Sequence, residues 1–242
     1  MSDFDFAAVF DEDYLHFYEP HLSERSDAEA AEIIETLGLT AGDWVLDAPC
    51  GHGRIANRLA AQGIKVTGVD ITPHFLEKAR ESGTDVDYRL GDLRELPVDG
   101  PFDAAISWFT SFGYFDDDDN RRVLAEYRRV LRPGGKLLLE SLHHDGLVRG
   151  MAAPGFARVD EVGDDLSIDN NTFDPLTGRL ESDRMVVRDG VTKRFHFFVR
   201  LPTVPEWRNW LADAGFADVS FAGRSGEPLT VDSFRIVVVA TA

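Results

Sequence analysis

VLDAPCGHGR, residues Val45 to Arg54, places a strand-like apolar run, a carboxylate and two glycines within ten residues. Gly51-His52-Gly53-Arg54-Ile55-Ala56 formally satisfies the G-x-G-x-x-G/A fingerprint, in which glycines make a strand-to-helix turn and let the backbone approach a pyrophosphate. Asp70 follows Gly51 by nineteen positions, about where an acid would meet a ribose hydroxyl. Glycines at such a turn also have a purely structural use, permitting a tight bend. Asp47 separates the candidate ligands. It stands near the end of the strand, four residues before Gly51, so its carboxylate is expected close to the loop. Beside a pyrophosphate it would be a like charge in a partly desolvated site, which is costly. Beside a nucleoside that carries an ammonium and a sulfonium but no phosphate, it would be favourable. S-Adenosylmethionine is such a ligand.

Outward from this loop, apolar strands alternate with helices. WVLDA (44–48), KVTGVD (65–70), VDYRL (86–90), FDAAISW (102–108) and KLLLES (136–141) read as five strands. Ile55, Leu59 and Ala60 give the first intervening helix an apolar side, and Thr72-Pro73 opens a second that runs through Ala79, proline being tolerated in a first turn. Val123, Tyr127, Val130 and Leu131 mark a third, closed by Pro133-Gly134-Gly135. The acids Asp116–Asp119 suit the N-terminus of that helix, where they favour the macrodipole; no second cluster at ligand spacing accompanies them, so no metal is expected. Such alternation argues for a parallel sheet covered on both faces.

The flanks read differently. Residues 1–22 carry Phe4, Phe6, Phe10, Tyr14, Phe17 and Tyr18 among acids. Ala30, Ile33, Ile34 and Leu37 then recur at helical spacing, with Ser26 or Asp27 as cap and Gly38 as stop. After Gly150, Asp165–Phe173, Arg179–Val187 and Thr192–Leu201 read as a three-stranded antiparallel meander, joined at Asp174–Gly178 and Asp189-Gly190. A helix from Val204 to Ala214 and two strands near 218–222 and 234–240 complete the chain.

The chain has 242 residues, 43% hydrophobic and 28% charged, as expected for one globular domain over 1–242. Its net charge of −18 disfavours nucleic acid and anionic membrane, because binding either requires neutralising phosphates. Cys50 is the single cysteine, so no intrachain disulfide forms and a cytoplasmic setting fits. The N-terminus lacks the basic-then-apolar order of a signal peptide, and the longest apolar run, Ile236 to Ala240, is too short to span a bilayer.

The sequence resembles the class I S-adenosylmethionine-dependent methyltransferases, strongly over residues 40–141. VLDAPCGHGR matches the family's acid-x-Gly-x-Gly-x-Gly motif, with Pro49 in place of the first glycine. Asp70, ending KVTGVD, matches the acid that pairs with the ribose hydroxyls, and Gly91-Asp92-Leu93 the segment that reads the adenine, Asp92 accepting from its amine. FDAAISWFTSFGYF and LRPGGKLLLE match the fourth strand and the passage into the fifth. The resemblance implies an α/β fold: a Rossmann-like seven-stranded, mostly parallel sheet with helices on both faces and its last strand antiparallel, plus the antiparallel three-stranded insertion after the fifth strand. It implies S-adenosylmethionine as cofactor, bound by Tyr14, Asp47, Ala48, Gly51, Gly53, Asp70, Ile71, Gly91, Asp92, Leu93, Ser107 and Trp108. The expected reaction is methyl transfer to N or O of a small-molecule acceptor. A fold relative that binds the cofactor without transferring methyl, and an NAD(P)-dependent oxidoreductase, are the alternatives.

Acceptor and catalytic groups are sought just beyond the strand ends. His143 or His144 is a candidate general base, needed only where the acceptor must lose a proton. Residues 1–37 are expected to form a helical lid, with Tyr14 and Tyr18 on one face at i and i+4 and Tyr18 near the reacting centre. Phe112, Tyr114, His196 and Arg200 are the candidate acceptor contacts. The insertion, 151–201, is read as an acceptor cap or as the contact of a homodimer, since open strand edges favour pairing.

Overall fold

The computed structural model describes residues 5–151 and 155–242; Phe4 and residues 152–154 of the insertion lie outside them. In chain order the elements are α1 (Phe6–Val9), α2 (Glu12–Leu37), β1 (Trp44–Asp47), α3 (Ala56–Ala61), β2 (Lys65–Asp70), α4 (Pro73–Arg80), β3 (Val86–Leu90), β4 (Phe102–Ser107), α5 (Asp117–Val130) and β5 (Leu131–Leu142). There follow α6 (His144–Gly150), β6 (Gly155–Val162), β7 (Asp165–Asp174), β8 (Arg179–Arg188), β9 (Val191–Arg200), α7 (Val204–Asp213), β10 (Asp218–Ala222) and β11 (Arg235–Thr241).

Seven strands make one sheet in the order β10-β11-β5-β4-β1-β2-β3. The five strands from β5 to β3 pair in parallel, and β11 runs antiparallel to both its neighbours. Val45, Leu46, Ala105 and Ile106 are fully buried because helices cover both faces, which is why these strands are nearly continuously apolar. Tyr127 of α5 and Trp207 and Trp210 of α7 pack on one face. Ile33 of α2, Leu59 of α3 and Leu76 of α4 pack on the other. The strand order turns back between β1 and β4, so a crevice forms beyond their carboxyl ends. Asp116 caps α5 through Asp119 N–H at 3.0 Å, as the acidic run suggested.

β5 starts at Leu131 and takes in Pro133-Gly134-Gly135, expected to close the preceding helix, and two further elements differ from the sequence reading. The helix expected from Ser26 begins at Glu12, capped by Asp11, and runs 26 residues through Pro20 to Gly38 in the left-handed region at φ 72°. Ser26 caps nothing: its buried hydroxyl donates to the Leu22 carbonyl one turn earlier, at 2.6 Å. The insertion has four strands, in the order β6-β7-β8-β9. β6 pairs with β7 from Gly155↔Thr172 to Val162↔Asp165, turning at Gly163-Asp164. It is largely exposed, so it carries no apolar alternation by which to recognise it.

Gly68 shows how closely β2 and β3 approach. A Cβ there would lie 2.7 Å from the Tyr88 ring and 3.0 Å from Cys50 Sγ. Gly68→Ala is expected to lower stability by about 1–3 kcal/mol. Urea unfolding would show this as a reduced midpoint with an unchanged slope.

Candidate active site

A cavity of about 530 Å³ opens over the ends of β1, β2 and β4. Its walls come from α1 and α2, the loop after β1, the ends of β2 and β3, the turn after β4 and the inner face of the four-stranded sheet.

The loop is set by two glycines in the left-handed region, Gly51 at φ 54° and Gly53 at φ 76°, and follows a cis Ala48–Pro49 bond. Three of its N–H groups are spent internally: Cys50 donates to Val69 O, Gly53 to Cys50 O, and Gly51 to Asp70 Oδ2 at 2.7 Å. A pyrophosphate would need those donors. Asp70 also accepts from Thr72 N–H at 2.9 Å, which fixes its carboxylate at the cavity wall. Burial nevertheless raises its pKa.

Asp47 is 2% exposed and lines the same cavity, with Oδ2 lacking any hydrogen-bond partner. Burial pushes its carboxyl up to about 7, Arg54 opposing the shift and Asp70 reinforcing it. The Ala56 N–H also bonds the carboxylate, but a buried carboxylate oxygen without a partner is unfavourable, so Oδ2 suits a cation arriving with a ligand. The residues present therefore fit a phosphate-free nucleoside that bears an ammonium.

Over this floor, Tyr14 and Tyr18 stack at 4.6 Å between ring centroids. Phe10 meets Tyr14 edge-on at 5.4 Å, and Phe75 lies 5.7 Å from it. Burial pushes the Tyr14 hydroxyl up to about 12 and raises that of Tyr18 as well, so both phenols stay protonated. On the far side, Phe109 (φ 68°) and Thr110 (φ 54°) hold a turn that non-glycine residues rarely adopt. Buried Glu140 stabilises it: Oε2 accepts Phe109 N–H at 2.9 Å, and the Glu140 carbonyl accepts Thr110 N–H at 2.9 Å. Arg235 in turn donates to both Glu140 carboxylate oxygens, each at 2.5 Å.

Comparison with known proteins agrees with this geometry. A family model described as a methyltransferase domain matches residues 45–135. The chain is 26% identical over 198 residues to demethylmenaquinone methyltransferase of Renibacterium salmoninarum, covering 80% of this chain and 75% of that protein. It is 29% identical to the dTDP-4-amino-2,3,4,6-tetradeoxy-D-glucose N,N-dimethyltransferase of Saccharopolyspora spinosa, over 75% of this chain and 74% of the other. Among solved structures, the CcbJ methyltransferase from Streptomyces caelestis superposes with a TM-score of 0.78 at 23% identity, covering 90% of this chain and 89% of that one. The family match and these relatives support a class I S-adenosylmethionine-dependent methyltransferase.

Of the residues expected to bind the cofactor, the methyltransferase brings Tyr14, Asp47, Gly51, Asp70, Ile71, Gly91, Asp92, Leu93 and Trp108 to the cavity wall. Asp92 arrives already engaged, both its oxygens accepting from Arg94 at 2.7–3.1 Å. Ala48, Gly53 and Ser107 stand behind the lining. The Ala48 carbonyl accepts the Tyr127 hydroxyl. A Cβ at Gly53 would lie 2.2 Å from Tyr88 Oη, so that glycine serves packing against β3. Ser107 is buried at the end of β4.

The acceptor and catalytic expectations need more correction. Tyr18 and Tyr114 line the cavity, but Phe112 packs in the main core against Trp207 at 4.9 Å. His143 is buried with Nδ1 2.9 Å from Ser233 O, and His144 pairs with Asp145 at 2.7 Å beside the Phe173 ring. Neither reaches the cavity. His196 is exposed on the outer face of β9, between Glu181 and Asp183. Arg200 points from the same face to Asp117 and Glu206. Alternation along β9 instead turns Phe197 and Val199 inward. Missed altogether were Arg158, Asp169, Asn171, Ser182 and Arg184, which line the cavity from β6, β7 and β8. The signal was present as polar residues at every second position of SIDNN and ESDR, but it marks a face without saying which way that face looks.

Asp47 predicts a pH dependence. Below its raised value the free carboxyl is protonated and offers no charge to an ammonium; above it the charge is available. Calorimetric affinity for S-adenosylmethionine is expected to fall roughly tenfold from about pH 8 to about pH 6. Asp47→Asn is expected to weaken binding at the upper pH and to flatten the profile.

Proposed function

We propose that this methyltransferase acts on the nitrogen of a small amine-bearing molecule. When bound, S-adenosylmethionine supplies an electrophilic methyl group on its sulfonium. In this reading Asp47 holds the cofactor ammonium, Asp70 the ribose hydroxyls and the Gly91–Leu93 segment the adenine, while Tyr14 and Tyr18 cover the site and exclude water. Alignment of the nucleophile is then the main task left to the protein.

The observation that carries the choice of nitrogen is the protonation state of the wall. Among the described lining residues His52 is the one histidine, and burial, with Arg54 and Lys78 nearby, drives it down to about 4. Asp169 has both oxygens engaged by Arg184 at 2.5 and 2.6 Å. Asp47 is committed to the cofactor, and the tyrosines remain protonated. A hydroxyl acceptor needs a base to take its proton, whereas a neutral amine brings its own lone pair and sheds a proton after transfer. The amino-sugar relative acts on such a nitrogen by name.

Three further features belong to this reading. A net charge of −18 argues against a nucleic-acid acceptor. No helix among the described residues is long and apolar enough to cross a membrane, and with the single cysteine this supports a cytoplasmic enzyme. The open edge of β6, with Val159 half exposed, supports a homodimer.

Incubation with labelled S-adenosylmethionine and matched amines, phenols and alcohols, read by mass gain, tests the proposal. Amines are expected to be methylated, with kcat/KM following the acceptor's own ionisation and unchanged in His143→Ala and His144→Ala. Turnover of hydroxyl acceptors without amines would overturn it.

A further inference from the structure

The charge of the cavity wall is opposite in sign to that of the chain. The sequence has 43 acidic residues against 25 lysines and arginines. Among the described residues that line the cavity, the arginines are Arg25, Arg54, Arg158, Arg184, Arg224 and Arg235, while the acids are Asp47, Asp70, Asp92 and Asp169. Three of those acids lie at the cofactor's end. The cofactor itself is cationic at its sulfonium and ammonium, so it does not call for a wall of arginines.

All six pair with a carboxylate. Arg25, Arg54 and Arg224 converge on the buried carboxylate of Glu29, and Arg235 on Glu140. The other two stand on the inserted sheet. Both lie against the Tyr18 ring, Arg158 at 4.9 Å and Arg184 at 5.5 Å from its centroid. Arg158 donates to Asp160 through Nε and Nη2, and Arg184 to Asp169 through the same pair of atoms. That leaves the Nη1 edge of each guanidinium without a protein partner among the described residues. Tyr18 Oη accepts from Arg184 Nη2 at 3.0 Å, so its own hydrogen is free to donate. Arg184 and Asp169 are 8% and 5% exposed. A buried ion pair is a poor way to gain stability, since apolar side chains of similar volume often serve as well or better. On a cavity wall it instead presents fixed donors to a ligand.

We infer that Arg158 and Arg184, with the Tyr18 hydroxyl, form a subsite for an anionic oxygen group, carboxylate or phosphate, on the methyl acceptor. The inference rests on the proposed methyltransferase reading and specifies its substrate as an amine that also bears an acid. The two guanidiniums then hold the acceptor by its acid group and leave the amine to face the cofactor.

The test separates this inference from the cofactor assignment. Calorimetry with S-adenosylhomocysteine alone establishes whether the cofactor site binds. Benzoate, phenyl phosphate and neutral benzamide are then titrated with and without S-adenosylhomocysteine. An anionic probe is expected to bind at least about tenfold more tightly than benzamide, and the advantage to vanish in Arg158→Gln. The double variant Asp169→Asn/Arg184→Gln, which strands no buried charge, is expected to lose it too. Benzoate alone would identify a carboxylate acceptor, and phenyl phosphate alone a phosphate one. No preference for either anion over benzamide, or a preference that survives in both variants, would overturn the subsite even where S-adenosylhomocysteine binds normally.

Discussion

A carboxylate oxygen withdrawn from water without a partner is among the least comfortable arrangements a protein can hold, and Asp47 at the end of β1 holds one. Val45 and Leu46 are fully buried, and the strand carries Asp47 directly from that apolar interior to the cavity. Removing such a group from water disfavours its charged form, and its raised pKa is the measure of that tension. Arg54 offers only distant relief, because its guanidinium is bonded to Glu29 and Ser26. A ligand that supplies a positive charge at this point stabilises the native state by binding it and not the unfolded chain. The rest of the proposed cofactor end is arranged around Asp47: three N–H groups of the loop are spent internally, and Phe10, Tyr14, Tyr18 and Phe75 cluster along the cavity wall.

A second constraint lies across the cavity. Two successive non-glycine residues in left-handed backbone are costly, of order 1–3 kcal/mol each, and persist only where their surroundings over-determine them. Glu140 does so from the neighbouring strand, and Arg235, on antiparallel β11, holds Glu140 in turn. This turn on the cavity wall is thus anchored through three strands of the sheet. Phe109 also lies between two guanidiniums, Arg54 at 5.3 Å and Arg235 at 5.5 Å from its centroid, so the two walls are joined through its ring.

How much of this could be read from the sequence depends on whether the information is local. The parallel strands, their helices and the glycine loop were legible because periodicity and turn chemistry act over a few residues; the bounds of β2 and β3 match the reading residue for residue. Asp47 and Asp70 were legible because strand ends and switch points follow from the alternation itself. The start of α2 was not, since Pro20 and a buried Ser26 both imitate punctuation while tertiary burial of Phe17 and Leu22 overrides them. β6 was not, lacking an apolar face. The acceptor wall was misread for another reason. Period-two alternation correctly grouped the residues of β9 into two faces, but only the packing of the inserted sheet shows that Phe197 looks inward while His196 and Arg200 look out.

The inserted sheet forms its own hydrogen-bonded unit and enters the cavity from one side only. None of the residues expected to read the nucleoside or ribose belongs to it, and its inward positions lie on strands whose backbone bonds do not depend on side-chain identity. If the inserted sheet holds the acceptor as proposed, changes at those positions retune which molecules are accepted while the cofactor end is left untouched. On the proposed reading, chemistry and selectivity fall to two separately variable parts of one chain.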